Sequence, residues 1–172
     1  MQVSRRTAIK QALLVSAGFA LLPSCVRNAP PASVKLKNIE VNGDDEKMLA
    51  ELTSMILPAT DTPGAKEIGA HLFALTMLDD CYDKESRQKW ADGMKAFKEQ
   101  WERKDKEALL GELEKEDAAK SPAAYFYHLT KRLTIQAYTS SEYFLTKVEE
   151  WQLVPGRFHG SIPVSEIKKK TI

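Results

Sequence analysis

The chain has 172 residues, 43% of them hydrophobic and 28% charged, with a formal net charge of +1. Its first 24 residues hold three basic residues and no acid, so the remainder carries an acidic excess of about two charges. That balance argues against nucleic acid as a partner and against electrostatic attraction to anionic lipid. Cys25 and Cys81 are the only cysteines. No disulfide framework is available, and stability must come from packing.

The N-terminus reads as an export signal. Ser4-Arg5-Arg6-Thr7-Ala8-Ile9-Lys10 precedes an apolar stretch, Ala12 to Leu22, interrupted only by Ser16 and Gly18. A membrane-spanning helix needs about 20 apolar residues, whereas the core of a signal peptide needs about 7–15 after a basic start. The Arg5–Arg6 pair with Ser4 and Lys10 resembles a twin-arginine signal, with Ala8 and Ile9 in place of the usual bulky pair; a generic basic start is the alternative. Leu22-Pro23-Ser24-Cys25 resembles a lipobox, in which Cys25 becomes the lipidated first residue. Ordinary cleavage nearby is the alternative. Acyl chains on Cys25 would hold a soluble domain at a membrane surface. Cleavage there leaves roughly 150 residues, one domain with a core of its own.

Residues 25–43 read as a flexible tether, because Asn28-Ala29-Pro30-Pro31-Ala32-Ser33 is small, polar and rich in proline. Lys35 to Val41 alternates weakly, and Asn42-Gly43 marks a turn. Beyond it the pattern is helical. Asp44 or Asp45 caps a first helix carrying Met48, Leu49, Leu52, Met55 and Ile56, which Pro58 ends. Thr60-Asp61-Thr62-Pro63-Gly64 is a turn. A second helix follows from about Ala65, with Ile68, Leu72, Leu75 and Leu78 on one face.

From Lys84 to Lys104, Trp90, Met94, Phe97 and Trp101 form a core stripe. Asp105 to Asp117 makes a shorter helix with Leu109, Leu110 and Leu113. Ser121-Pro122 is a start signal, and the helix it opens runs to Thr139 through Tyr125, Phe126, Leu129, Leu133 and Ile135. Ser140 or Ser141 caps a last helix, Glu142 to Trp151. Leu153 to Ile172 is an irregular arm. The expected fold is therefore all-α, a single compact bundle of five to six helices over residues 44–172, ending in that arm.

The residues that bear chemistry are scattered. Glu67 and His71 lie one helical turn apart, but a zinc or di-iron site needs a second ligand pair, and a surface pair is the plainer reading. His128 has no such set around it. Asp79, Asp80 and Asp83 surround Cys81 without the ligand spacing or turn glycine of a calcium loop. They read as the solvated end of one helix and the cap of the next, and their charge would blunt the thiol. No glycine-rich phosphate loop, haem-attachment motif or serine-nucleophile turn is present. We expect no catalytic, cofactor or metal residues in this chain. A folded-protein export route on such a chain suggests that it carries a partner which does bind a cofactor.

One string is more specific. Ile56-Leu57-Pro58-Ala59-Thr60-Asp61-Thr62-Pro63-Gly64-Ala65 resembles the hallmark of the gluconate 2-dehydrogenase subunit 3 family. Tyr138-Thr139-Ser140-Ser141-Glu142 and Val154-Pro155-Gly156-Arg157-Phe158-His159-Gly160-Ser161-Ile162-Pro163 resemble later family segments, over residues 45 to 164 in all. Ser161 stands where many members have Cys, so a tail disulfide is not expected.

The resemblance implies a non-catalytic small subunit beside a flavin-dependent sugar or alcohol dehydrogenase. FAD would lie in the partner, a cytochrome c subunit often completes the complex, and the small subunit's signal exports the catalytic one. Expected contact residues are Pro58, Thr60, Asp61, Thr62, Pro63 and Gly64 of the turn and Pro155, Gly156 and Phe158 of the arm, since fixed turns and irregular arms suit partner binding. Plain helix-to-helix punctuation is the other reading of the turn. The expected location is the periplasm, at a membrane through Cys25. The rival function is a free-standing lipoprotein that binds a small molecule or saccharide in a cleft lined by Tyr125, Tyr127, Tyr138 and Tyr143.

Overall fold

A computed structural model describes residues 30–149 and Ser161. The chain divides into Met1–Pro30 and a unit from Pro31 to Ile172, and the second is described here. The leader with Ser4, Arg5, Arg6 and Lys10, the candidate lipid site Cys25, and the arm positions Pro155, Gly156 and Phe158 lie outside the described residues.

The unit is all-α. Its elements are α1 (Gly43–Ile56), α2 (Ala70–Cys81), α3 (Lys84–Arg103), α4 (Lys106–Lys115), α5 (Pro122–Thr139) and a π-helical turn, Phe144–Val148. Among the described residues no helix is long and apolar enough to cross a membrane.

The centre is the α3–α5 pair. The α3 stripe is buried as its spacing requires, with Trp90, Met94, Phe97 and Trp101 all facing inward. Phe126 of α5 sits between two of these rings, its centroid 5.2 Å from Trp90 and 4.9 Å from Phe97. Burying each such ring contributes about 1.5–3 kcal/mol. The Trp90 indole N–H donates to Thr130 Oγ1 at 3.2 Å, so its polar edge is satisfied inside the core. The helices meet at Gly93, where an added Cβ would lie 2.3 Å from Pro122 O and 2.8 Å from Phe126 Cβ. A side chain there would push the two backbones apart.

Helices α3, α4 and α5 are each capped by a side chain of their own sequence. Ser121 accepts from the Ala124 N–H and Pro122 opens α5, as the start signal requires. Asp105 accepts from Ala108 N–H at the start of α4. That helix buries Leu109 and Leu113 and places Lys106 over the Trp101 ring at 4.8 Å. Asp83 caps α3 by accepting from Ser86 N–H.

The structure corrects four expectations about the helices. The cap of α1 is Asn42, not Asp44 or Asp45: its side chain accepts from Asp44 and Asp45 N–H while the Asp45 carboxylate accepts from Asn42 N–H. This reciprocal arrangement draws Asp45 inward, where it binds Lys98 of α3 at 2.6 Å. Helix α2 begins at Ala70 rather than Ala65, because Gly69 takes φ 71° and a helix cannot run back through that conformation. On α5, Ile135 is 44% exposed and Tyr125 is only half-buried. Ile135 lies two residues past the buried Leu133, a rotation of about 200° around the helix. The last helix ends at Val148 as a π-helical turn, after which Glu149 is extended, although Ser141 does accept from the Phe144 N–H at its start.

The largest correction concerns the expected tether. Residues 31–42 form a strap on the helical unit, closed by a bridge between Pro31 and Asn42. Ile39 is buried, and Leu36 and Val41 pack on the same core. Asp79 near the end of α2, expected to be solvated, is 3% exposed and receives three backbone N–H groups from the strap. Lys37 donates at 2.8 Å, Asn38 at 2.6 Å and Ile39 at 3.0 Å, and the Asn38 side-chain amide donates to the Asp79 carbonyl at 3.0 Å. A second staple binds Ser33 N–H and Oγ to Glu46 at 2.6 and 2.7 Å.

Burial pushes the Asp79 carboxyl up, but the three strap N–H groups and the nearby Arg87 guanidinium outweigh it and hold the group below the ordinary aspartate range. Its stabilisation is therefore present at neutral pH and disappears as acid protonates the folded carboxylate. Asp79→Asn is expected to cost about 1–3 kcal/mol in urea unfolding at pH 7, the usual worth of hydrogen bonds to a charged group. The gap from wild type should narrow well below pH 4, where the wild-type carboxylate is itself neutralised.

Candidate functional site

The turn singled out in the sequence is a closed loop at one end of the bundle. After α1 the Leu57 carbonyl accepts from Ala65 N–H at 2.9 Å, and Thr60 N–H donates to Thr62 O at 3.0 Å. The chain crosses itself at Gly64, where a Cβ would lie 2.5 Å from Ala59 N and 2.9 Å from Leu57 O. Ala65, Ala70 and Ala137 of α5 make a small second core, with Leu57, Ile68 and Phe73 packed around it. Tyr138 Oη donates to Thr62 Oγ1 at 3.3 Å, tying the loop to the end of α5.

This geometry sorts the expected contact residues. Pro58, Thr60 and Asp61 are exposed at the loop tip, Thr62 and Pro63 are half-buried, and Gly64 is buried. The tip therefore offers a proline ring, a hydroxyl and a carboxylate on a fixed backbone, while Gly64 shapes the loop. Ala137 and Tyr138 complete the site and were not among the expected contact residues. The signal for Tyr138 was the Tyr138–Glu142 string, which starts beside the Leu57–Ala65 string in space although 76 residues separate Thr62 from Tyr138. A cleft of about 300 Å³ adjoins this end, lined by Ile68, Phe73, Ala137 and the Ser140–Tyr143 segment. The Tyr138 and Phe144 rings meet edge to face at 5.9 Å beside it.

The scattered residues stay scattered. His71 does not hydrogen-bond to Glu67. Its Nδ1 is buried with no partner among the described residues. Burial pushes the imidazole pKa below the ordinary histidine range; Glu46 opposes this and Lys66 adds to it. His128 Nε2 is 2.7 Å from the Glu116 carbonyl. Cys81 is exposed, with Met77 Sδ at 4.0 Å as its neighbour. No group of three His, Cys, Asp or Glu residues converges among the described residues.

The four tyrosines of the rival reading do not share a cleft. Tyr127 is buried and donates to Glu114 at 2.8 Å, and Tyr138 holds the loop. Tyr143 lines the cleft at the loop end, and Tyr125 lines a separate one beside Pro122. Tyr125 and Tyr138 sit thirteen residues apart on α5, about 20 Å along its axis, so no single ligand bridges them.

Gly64→Ala is expected to lower stability by about 1–3 kcal/mol, as overpacking against backbone does. Asp61→Ala at the exposed tip should stay within about 0.5 kcal/mol of wild type. Urea unfolding of both variants checks the distinction between the residue that shapes the loop and one that is presented by it.

No curated protein and no solved structure matches the chain. The sequence profile of one family, gluconate 2-dehydrogenase subunit 3, matches residues 43–156, well over half of the chain and the span from α1 through the loop to α5 and beyond. The chain belongs to the gluconate 2-dehydrogenase subunit 3 family.

Proposed function

We propose that this chain is the small, non-catalytic subunit of a membrane-associated, flavin-dependent gluconate or sugar dehydrogenase complex, and that it assists the folding and twin-arginine export of the catalytic subunit. The observation that carries the reading is the family match over α1, the loop and α5. The geometry is consistent with it. Two of the three strings that resemble the family meet at one end of the bundle, and the exposed tip of Pro58, Thr60 and Asp61 stands on a backbone fixed by Gly64 and Tyr138. A preformed tip loses little conformational entropy on docking, which favours a contact role.

In this reading FAD resides in the catalytic subunit, and a cytochrome c subunit receives its electrons. Arg5 and Arg6 serve the partner as well as this chain, since the export route carries folded proteins. Cys25 holds the exported complex at the membrane on the periplasmic side.

Two measurements test the proposal. In the native cell, a chromosomal Arg5→Lys/Arg6→Lys variant should leave the flavoprotein in the cytoplasm and lower periplasmic dehydrogenase activity at least tenfold. Undiminished periplasmic activity would overturn the export role. Asp61→Lys should weaken co-purification of the flavoprotein about tenfold without moving the unfolding midpoint, whereas unchanged recovery would remove the loop tip from the interface.

A further inference from the structure

The strap and α3 enclose a cleft of about 630 Å³ whose charge differs from that of the chain as a whole. Lys37 enters it from the strap, and Lys84, Arg87 and Lys95 enter from one face of α3; Glu40 is the single acid in its walls. The floor is apolar, formed by Ile39 and Met94, both buried.

Among the described residues two of these cations have no carboxylate partner and a third is only weakly paired. Elsewhere Lys47, Lys89, Lys98, Lys104, Lys106 and Lys131 each pair with a carboxylate. Lys37 and Lys84 pair with no carboxylate among the described residues. Lys95 meets Asp92 at 3.7 Å, but the two side chains are 75% and 54% exposed, so the pair neutralises little. Arg87 spends one nitrogen on the carbonyls of Asp79 and Tyr82, which fixes its position beside the Asp79 carboxylate, and that carboxylate offsets part of its charge. Gln88 is turned to Asp92.

The place of the cleft in the chain points to its occupant. The strap is the first part of the folded unit. Lys37 follows Cys25 by twelve residues, which span at most about 40 Å when fully extended. A chain anchored at Cys25 therefore keeps the strap within reach of the bilayer, and Lys37 and Lys84, unpaired among the described residues, with the exposed Lys95, complement a phosphate-bearing surface. The acidic excess of the whole chain does not decide the matter. Electrostatic contact with a leaflet is local and falls off within a Debye length, about 8–10 Å at physiological salt.

We propose that the strap–α3 cleft is a membrane-contact surface that receives the headgroup phosphates of anionic phospholipids. The proposal rests on anchorage through Cys25. Each Lys or Arg held at an anionic surface raises local binding about fivefold.

The test uses the full chain reconstituted into two kinds of vesicle, phosphatidylcholine alone and phosphatidylcholine with one third phosphatidylglycerol. Lysine acetylation is followed residue by residue by mass spectrometry, and flotation reads association. Acetylation of Lys37 and Lys84 should slow about fivefold on the anionic vesicles and recover in about 0.5 M salt, where the Debye length falls to a few ångströms. Lys66 and Lys147 should react alike on both. Lys84→Glu should abolish the slowing at Lys37 without moving the unfolding midpoint.

Equal rates on the two vesicles, in a chain that floats with both, would overturn the surface and leave the anchor standing. A chain that floats with neither would overturn the anchor and this surface together. Protection that appears only when the flavoprotein is added would also overturn the proposal, and would assign the cleft to an acidic segment of that partner.

Discussion

A carboxylate buried at the end of α2 needs several donors, and Asp79 finds them in a segment about forty residues earlier in the chain. Lys37, Asn38 and Ile39 supply three backbone N–H groups that would otherwise be unsatisfied in an irregular stretch. Neither side is stable alone, since a bare buried charge costs several kcal/mol and a strap of this length has little core of its own. The strap is therefore docked whenever α2 is formed. Arg87 extends the arrangement to α3 by donating to the carbonyls of Asp79 and Tyr82. One residue thus joins the start of the folded unit, the end of α2 and the beginning of α3.

Around that junction the packing follows from the α3–α5 contact. Gly93 lets the two backbones meet, and the Trp90, Phe97 and Phe126 rings close the space beside it. Asp45 and Lys98 tie α1 onto α3 on the other side. The loop end is built differently, from small residues: Ala65, Ala70 and Ala137 allow close approach, and Gly64 lets the chain cross itself. The result is a bundle with two distinct ends. One carries the loop tip and the other the strap.

Local signals carried most of the helical architecture. The Trp90-to-Trp101 stripe and the Ser121-Pro122 start place α3 and α5 because cap, spacing and burial all agree there. Where two local readings compete, the pattern misleads. Asn42-Gly43 reads as a turn, yet the same side chain caps α1. Ala65 to Gly69 has helical spacing, yet Gly69 takes a left-handed conformation. Pro30 to Ser33 has the composition of a linker, and nothing nearby reveals that Glu46 will hold Ser33 and Asp79 the residues after it. At the candidate site the Leu57–Ala65 string is legible as a motif. The rigidity that makes it useful comes from Ala137 and Tyr138, which no local pattern connects to it.

The functional account puts these ends to different uses. In the proposed complex the loop tip would face the catalytic partner, while the strap begins the folded unit. Its central structural claim is that the unit begins at the strap rather than at α1, with Asp79 as the fastening. Amide hydrogen exchange at neutral pH tests this most directly. The Lys37, Asn38 and Ile39 amides should exchange as slowly as those in the interior of α2, and α2 and strap protection should fall together on acidification. Exchange of those three amides at unstructured rates while α2 remains protected would contradict the claim.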